Sequence, residues 1–230
     1  MSSSLDNPAW ASLTGAHAHF AERHGQVLRY RPDVAPFLAL PDDPDDRVWD
    51  DIAALAGAGE VVPINNPAGV DPPPGWEVEF RGAGVQLVDD GVRVAEDPEA
   101  VRLTADDVPE MLDLVERTKP GPFRERTIEL GVYLGIRRGG RLVAMAGERL
   151  HPPGYTEISA VCTDPAHRGQ GLATRLVLAV AAGIRARGET PMMHAAAENT
   201  NAIRLYESLG FRLRRHSEFM AVRVPLAEVA

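Results

Sequence analysis

The chain is organised around one stretch, Val161-Cys-Thr-Asp-Pro-Ala-His-Arg168-Gly-Gln-Gly171-Leu-Ala-Thr174. Its pattern predicts the end of a strand, a short turn, and a glycine-containing loop that opens an apolar helix. Glycines let the backbone approach a ligand closely, and the first turn of a helix offers unpaired N–H groups at the positive end of the helix dipole. The stretch therefore predicts an anion site, most naturally for a phosphate or a pyrophosphate.

Residues 101–230 alternate between strand and helix patterns, which is typical of an α/β (α+β) domain of this length. In the helix that follows the loop, apolar residues recur at every fourth position from Leu172 to Ile184 and give the helix one buried face. The predicted strands are 101–103, 131–137, 141–150, 155–163, 191–197 and 211–224. The predicted helices are 104–118, 123–130, 172–187 and 199–209.

Residues 1–100 show shorter patterns and contain no motif with a recognisable chemistry. The predicted helices are 5–24 and 48–56, and the predicted strands are 26–31, 60–64, 76–80 and 84–88. This region carries 18 acidic and six basic side chains, whereas residues 101–230 carry 15 and 18. We therefore divide the chain into an appended region, 1–100, and a domain that carries the loop, 101–230.

Composition limits the partners and the compartment. The net charge of −9 argues against nucleic acid, whose phosphate backbone needs a basic surface. Cys162 is the only cysteine, so no intramolecular disulfide can form and a reducing compartment is expected. We expect a cytoplasmic protein without membrane contact, because the sequence shows no signal-peptide pattern and no apolar run of the roughly 20 residues that span a membrane. We expect no metal, because His17, His19 and His24 lack further ligands at familiar spacing.

Two well-known phosphate loops do not fit the central stretch. A dinucleotide-binding fingerprint needs a third glycine where Thr174 stands, and a nucleotide P-loop needs a Gly-Lys-Ser/Thr run that the chain lacks. A different pattern matches: Arg168-Gly-Gln-Gly171-Leu-Ala173 resembles the Gln/Arg-x-x-Gly-x-Gly/Ala loop of the GCN5-related N-acetyltransferases (GNAT), which holds the pyrophosphate of acetyl-CoA.

A second segment resembles the same family independently. Asn199-Thr-Asn-Ala202-Ile-Arg-Leu-Tyr206-Glu-Ser-Leu-Gly210-Phe211 is similar to the family's Asn-x-x-Ala-x-x-x-Tyr-x-x-x-Gly-Phe helix. The resemblance covers about residues 101–224. Three further segments indicate the FR47-like subgroup, namely Pro120-Gly-Pro-Phe123, Ala146-Gly-Glu148-Arg149 and Glu157-Ile-Ser-Ala-Val-Cys-Thr163.

The resemblance implies the GNAT fold, a mixed central sheet flanked by helices. It implies acetyl-CoA as cosubstrate, and transfer of its acetyl group to the primary amine of a small molecule or peptide by direct attack in a ternary complex. A monomer and a homodimer both suit it, and the appended region could be a degenerate copy of the same fold. The positions implied to contact acetyl-CoA are Val161, Cys162, Thr163, Arg168, Gly169, Gln170, Gly171, Leu172, Ala173, Thr174, Asn199, Ala202 and Tyr206.

Among these positions, Tyr206 is implied to be the general acid that protonates the departing CoA thiolate. Asn199 and Tyr206 share one face of their predicted helix, which supports the assignment. The base is open between Glu157, Glu148 and water. Strict alternation along 155–163 puts two sets of residues on opposite faces of the strand: Glu157, Ser159, Val161 and Thr163 on one, and Ile158, Ala160 and Cys162 on the other.

Three alternatives remain beside N-acetyl transfer through a ternary complex. A covalent acyl-enzyme on Cys162 is disfavoured, because no activating residue is visible beside that cysteine. The chain could also be a catalytically weak CoA-binding sensor or interaction module, or it could transfer a longer acyl group. The sequence does not identify the acceptor.

Overall fold

The structure, a computed structural model, describes residues 3–65 and 69–226. The strands are β1 (Ala21–His24), β2 (Val27–Tyr30), β3 (Leu38–Ala39), β4 (Val61–Asn65), β5 (Glu77–Asp89), β6 (Val101–Arg102), β7 (Tyr133–Arg138), β8 (Arg141–Glu148), β9 (Tyr155–Thr163), β10 (Thr190–Ala196) and β11 (Phe211–Arg223). The α-helices are α1 (Pro8–Leu13), α2 (Val48–Ala56), α3 (Val108–Thr118), α4 (Leu172–Ala186) and α5 (Thr200–Leu209). The strands form one mixed sheet in the order β1-β2-β3-β4-β11-β5-β10-β9-β8-β7-β6.

Apolar side chains cover both faces of this sheet. On one face, Ile158 of β9 packs in a cluster with Leu176 and Val180 of α4. On the other face, the α3 side, Cys162 packs with Met111 of α3. The N-terminal region adds a cluster in which Leu5, Tyr30 and others contact Leu150 and Met192. The predicted fold class, a mixed sheet flanked by helices, is confirmed.

Three predicted elements differ from the structure. The helix predicted at 5–24 is only α1, because the chain turns after Leu13 and then enters β1, which pairs with β2. The helix predicted at 123–130 is only a 3₁₀ turn at Thr127–Leu130. The Arg124 N–H, just before this turn, donates a hydrogen bond of 2.7 Å to Thr127 Oγ1. In both places the spacing of apolar residues predicted a longer helix than the chain forms, because this spacing does not reveal local turns.

The strands predicted at 76–80 and 84–88 are one continuous strand, β5. The glycines between them do not break it. A Cβ on Gly82 would lie 2.6 Å from the ring of Phe80, and a Cβ on Gly84 would lie 2.7 Å from the ring of Phe219. These glycines therefore make room for aromatic rings on the sheet.

β5 lies in the middle of the sheet, between β10 and β11, and is antiparallel to both. Its pairing with β11 extends from Phe211↔Asp89 to Arg223↔Glu77. Strands β1 to β5, all from the first hundred residues, thus belong to the same sheet as β6 to β11, and β5 lies between two of the later strands. The division of the chain at residue 100 stays a prediction, and β5 links the two parts.

A β-bulge interrupts β9 and corrects the predicted alternation of its side chains. Gly147 pairs with Ser159, but Met145 pairs with Cys162, so β9 has one extra residue between these pairs. Ala160 lies there with a φ of 52°, in the left-handed region. Because of the extra residue, Cys162 joins Glu157 and Ser159 on the α3 face, and Val161 and Thr163 move to the opposite face.

The sheet opens between β9 and β10. These parallel strands pair only at Thr190↔Tyr155, Pro191↔Thr156 and Met192↔Glu157, whereas β10 continues along β5 as far as Ala196↔Gly84. Beyond Glu157, β9 therefore keeps its ladder with β8 and turns its other edge to the opening. This opening lies beside the bulge.

Two predicted absences can be compared with the described residues. Across 3–65 and 69–226, no helix is long and apolar enough to cross a membrane. Within the same ranges, no cluster of three or more histidine, cysteine, aspartate or glutamate side chains could hold a metal ion. The cytoplasmic location stays a prediction.

Candidate active site

The loop that follows β9 has the geometry of an anion site. Gly169 and Gly171 have φ values of 77° and 72°, and Gly171 is the N-cap of α4. A Cβ at either glycine would meet nothing within 4 Å, so the space over the loop is open. Backbone N–H groups in the first turn of a helix have no partner within the helix, and they can bind an anion here.

The sequence-predicted positions for acetyl-CoA gather around this loop and the opening. Three lie at the end of β9, four form the loop and three begin α4, and the remaining three are on or beside α5. In this order they are Val161, Cys162 and Thr163; Arg168, Gly169, Gln170 and Gly171; Leu172, Ala173 and Thr174; and Asn199, Ala202 and Tyr206.

α5 begins at Asn199, whose side chain caps it. Asn199 Oδ1 accepts a hydrogen bond from the Ala202 N–H at 3.2 Å. Capping is therefore a structural role for Asn199, and this role by itself accounts for the Asn-x-x-Ala spacing of the motif. Its side-chain NH₂ group is a further donor, so capping is compatible with a contact to a ligand.

Tyr206 is buried in the cluster under α4 and α5 and packs edge-to-face on Phe211, with ring centroids 6.4 Å apart. Burial raises the pKa of the Tyr206 hydroxyl to about 12. The hydroxyl is therefore protonated at neutral pH, which is the state that a proton donor needs.

Glu157 is a fully buried carboxylate with strong partners. Arg149 donates to it from Nε at 2.8 Å and from Nη2 at 2.7 Å, and His194 Nδ1 lies 2.8 Å from Oε1. Burial alone would raise the pKa of Glu157, but the Arg149 charge and hydrogen bonds and the His194 hydrogen bond outweigh it and hold the pKa well below its usual range. Its role as a base stays a prediction, and the ion pair makes it a weak base.

Glu148, the other candidate base, lies on the opposite face of the sheet, because it pairs with Ile158. Its Oε2 accepts a hydrogen bond from Val132 N–H at 3.1 Å, and Arg187 donates to its Oε1 at 2.9 Å. Both candidate carboxylates are thus paired with arginines. Glu157 is the one on the α3 face, at the last β9–β10 pair before the opening.

Sequence reasoning missed the network that surrounds Glu157. His194 Nε2 lies 3.1 Å from Gln86 Nε2, which also donates to the Leu5 carbonyl at 2.9 Å, and Arg214 donates to Gln86 Oε1 at 2.9 Å. Because both atoms of the Gln86 amide are engaged, its orientation is fixed, and His194 Nε2 acts as the acceptor. His194 Nδ1–H then donates to Glu157. Local sequence patterns could not reveal a network drawn from four distant segments.

Cys162 does not have the properties of a nucleophile. Its side chain is buried on the α3 face, and burial raises the pKa of its thiol to about 11. A thiol with such a pKa is protonated at neutral pH and reacts poorly. This agrees with the sequence-based preference against a covalent acyl-enzyme.

A cavity of about 530 Å³ lies on the α3 side, between the N-terminal region and the end of α3. The segment after α3 forms one wall, with Lys119, Pro122, Phe123 and Arg124, and strands β3 and β4 contribute Leu38, Val62 and Pro63 to the other. Its volume suits a small ligand. Phe123 connects the cavity to the sheet, because it packs on Tyr133 of β7.

The fold is shared with proteins of known structure. A crystal structure of a GNAT-family protein from Novosphingobium aromaticivorans is 41% identical, covers 97% of this chain and 99% of its own, and superposes with a TM-score of 0.89. The chain therefore belongs to the GNAT family, whose acetyltransferases use acetyl-CoA. The FR47-like protein family matches residues 133–220, which confirms the predicted subgroup.

Other similarities are more distant or shorter. A GCN5-related N-acetyltransferase from Kribbella flavida shares the fold, with 19% identity over 96% of this chain and 95% of its own and a TM-score of 0.63. Mycothiol acetyltransferase of Thermobispora bispora is 41% identical over 88 residues, 35% of this chain. N-alpha-acetyltransferase RimI of Mycobacterium tuberculosis is 37% identical over 83 residues, 35% of this chain. The matched segments span only 30% and 51% of these two relatives.

Proposed function

We propose that this protein is an N-acetyltransferase that moves the acetyl group of acetyl-CoA to a primary amine by direct attack in a ternary complex. The observation that carries the proposal is the opening between β9 and β10, next to the glycine loop at the start of α4. A donor with a pyrophosphate at one end and a thioester at the other suits this arrangement. The loop binds the charged end, and the free edge of β9 binds the arm.

In the proposed donor complex, backbone N–H groups from Arg168 to Thr174 bind the pyrophosphate. The open space over Gly169 and Gly171 supports a close approach of the phosphates. The pantetheine arm pairs with β9 between Val161 and Thr163, and the Asn199 side chain binds it from α5. A backbone N–H near Val161 or Cys162 donates to the thioester carbonyl and stabilises the oxyanion.

Two groups handle the protons. Tyr206 donates its proton to the CoA thiolate as the C–S bond breaks, and its raised pKa of about 12 supports this role because the hydroxyl is protonated at neutral pH. In the proposed complex, Glu157, which lies at the last β9–β10 pair before the opening, takes the amine proton through a water. Because Arg149 lowers its basicity, its larger contribution is the negative charge that stabilises the ammonium as the C–N bond forms.

The acceptor is a small-molecule or peptide amine that enters from the α3 side. The cavity between Lys119–Arg124 and the N-terminal region supports this direction, since Phe123 links the cavity to the face that carries Glu157. Relatives named N-alpha-acetyltransferase and mycothiol acetyltransferase make peptide α-amines and small amino compounds the first acceptors to test.

The test is the release of free CoA, measured with a thiol reagent, from acetyl-CoA and a panel of peptides with free N-termini, amino acids, polyamines and amino sugars. We expect turnover with at least one amine. Tyr206→Phe should lower kcat by about 10²–10⁴-fold and leave the affinity for acetyl-CoA unchanged, because a general acid contributes only during bond breaking. Full turnover by Tyr206→Phe would remove the proposed acid.

The ion pairs of Glu157 and Glu148 favour a second candidate, a CoA-binding module with little catalysis, because pairing with an arginine weakens each carboxylate as a base. Calorimetric binding of acetyl-CoA without CoA release in the amine panel would support this candidate. Faster turnover with a longer acyl-CoA would instead identify another acyl group as the physiological one.

A further inference from the structure

Tyr133 on β7 carries a buried hydroxyl that the fold leaves unpaired. The residue is 1% exposed, and its hydroxyl oxygen is closed to solvent and has no hydrogen-bond partner within residues 3–65 and 69–226. Buried hydroxyls are normally paired, because an unpaired one costs stability. Tyr30, another fully buried tyrosine, follows the rule, with its hydroxyl 2.9 Å from His17 Nδ1. The Tyr133 hydroxyl therefore calls for an explanation beyond packing.

The ring of Tyr133 extends across the sheet toward the bulge in β9. Tyr133 pairs with Gly147, and Gly147 pairs with Ser159, so the three residues form one row on the α3 face. A Cβ on Gly147 would lie 2.2 Å from Cδ1 and 2.4 Å from Cε1 of Tyr133, so the ring occupies the place of the missing side chain. The ring therefore covers Gly147 of β8, and the row continues to Ser159, which directly precedes the bulge residue Ala160.

The hydroxyl lies among the charged groups of the candidate site. Burial raises the pKa of the Tyr133 hydroxyl, which also experiences the charges of Arg149, Glu157 and Glu148, and it stays neutral at physiological pH. Phe123 packs edge-to-face on the ring, with centroids 5.5 Å apart, and also lines the cavity. Tyr133 thus lies on the same face as Glu157, in the row that leads to the bulge, and it contacts a residue of the cavity wall.

We propose that the Tyr133 hydroxyl binds the acceptor and accepts a hydrogen bond from the amine nitrogen that attacks the thioester. This inference rests on the proposed N-acetyl transfer and adds a residue to it. Because the hydroxyl is closed to solvent, this proposal requires Phe123, which packs on the ring and lines the cavity, to move when the amine enters. The hydroxyl takes no proton from the substrate; it holds the nitrogen beside the bulge, and Glu157 supplies the negative charge.

The test is Tyr133→Phe, which removes one oxygen and keeps the ring. We expect its melting temperature to rise, because an unpaired buried hydroxyl is lost, while kcat/KM for the amine falls about tenfold, the value of one hydrogen bond. KM for acetyl-CoA should not change. Suitable amines are benzylamine and an alanyl peptide with a free N-terminus. Tyr30→Phe is the stability control and should lower the melting temperature, since its hydroxyl is paired.

A second measurement does not depend on turnover. With CoA bound, adding benzylamine should change the near-ultraviolet absorption of tyrosine in the wild-type protein and not in Tyr133→Phe. A higher melting temperature with unchanged amine kinetics would overturn the inference and leave the proposed function standing, and so would a loss confined to acetyl-CoA. If the wild-type protein transfers acetyl to no amine, both the proposed function and this inference are overturned. This outcome differs from a failure of the inference alone, in which the wild type is active and Tyr133→Phe is equally active.

Discussion

Replacing Glu157 with glutamine should destabilise the protein by about 3–5 kcal/mol, because the change leaves the Arg149 guanidinium as an unpaired charge in the interior. Arg149 is 14% exposed and Glu157 is not exposed at all. Two hydrogen bonds of 2.7 and 2.8 Å join them, and Arg149 also lies over the ring of Phe37, 4.9 Å from its centroid. Because Glu157 is fully enclosed and Arg149 is nearly so, solvent cannot replace the lost partner.

Urea unfolding at neutral pH measures this loss of stability. The activities of wild type and variant are compared separately, without urea and well below the melting temperature, so that both proteins are folded in the assay. The matched variant is Arg149→Met combined with Glu157→Gln, which removes both charges. We expect this pair to be more stable than Glu157→Gln alone, since no unpaired charge remains. A loss below about 1 kcal/mol in Glu157→Gln, or strictly additive effects in the double variant, would refute the reasoning about the buried pair.

The same residue predicts a dependence of stability on pH. The folded-state pKa of Glu157 lies below its ordinary value of 4.5, so its contribution is complete above pH 4.5 and is lost as the pH falls through the folded value. The difference in unfolding free energy between wild type and Glu157→Gln should therefore narrow in acid. If this difference in unfolding free energy stays constant as the pH falls, the charge of Glu157 is not the cause of its contribution to stability.

Two further substitutions have distinct signatures. Gly171→Ala should cost about 1–2 kcal/mol of stability, because an alanine is strained in the left-handed backbone, and should also raise KM for acetyl-CoA. The control is Gly154→Ala, at a φ of 83° and with equally open surroundings, which should lose stability without a change in KM. Equal KM values for the two variants would argue against a phosphate at the loop. Burial lowers the pKa of His17 to about 4, so wild-type stability should decline as the pH falls from 6.5 toward 4. Over the same pH range, the urea midpoint of His17→Asn should decline less than that of the wild type. An equal decline would show that His17 is not the cause of the loss of stability.

The sequence predicted the glycine loop and α4 well because their determinants are local. Two left-handed glycines and an apolar repeat from Leu172 to Ile184 define that geometry within one segment. The spacing from Asn199 to Tyr206 defined α5 in the same way. These elements carry the positions implied to bind acetyl-CoA, so the local structure at those positions was accessible to sequence reasoning.

The acceptor half was less accessible, because it depends on pairing between distant strands. The bulge at Ala160 follows from the register between β8 and β9, which reverses the expected face of Cys162 and Thr163. The partners of Glu157 come from β10 and from the segment after β8, and Gln86 comes from β5. No periodicity within one segment contains this information.

The central place of β5 constrains how the protein can be made. On the ribosome, β5 is complete at Asp89, but its neighbours β10 and β11 are synthesised only after residue 189. The strand must therefore wait, and until then Val85 and Leu87, which are buried in the folded protein, are exposed to unwanted association. Closure of the sheet is a late event that joins distant parts of the chain, a topology that folds slowly. Production of residues 101–230 alone would leave β10 and β11 without the strand between them, and the yield of folded protein should depend on keeping both parts together.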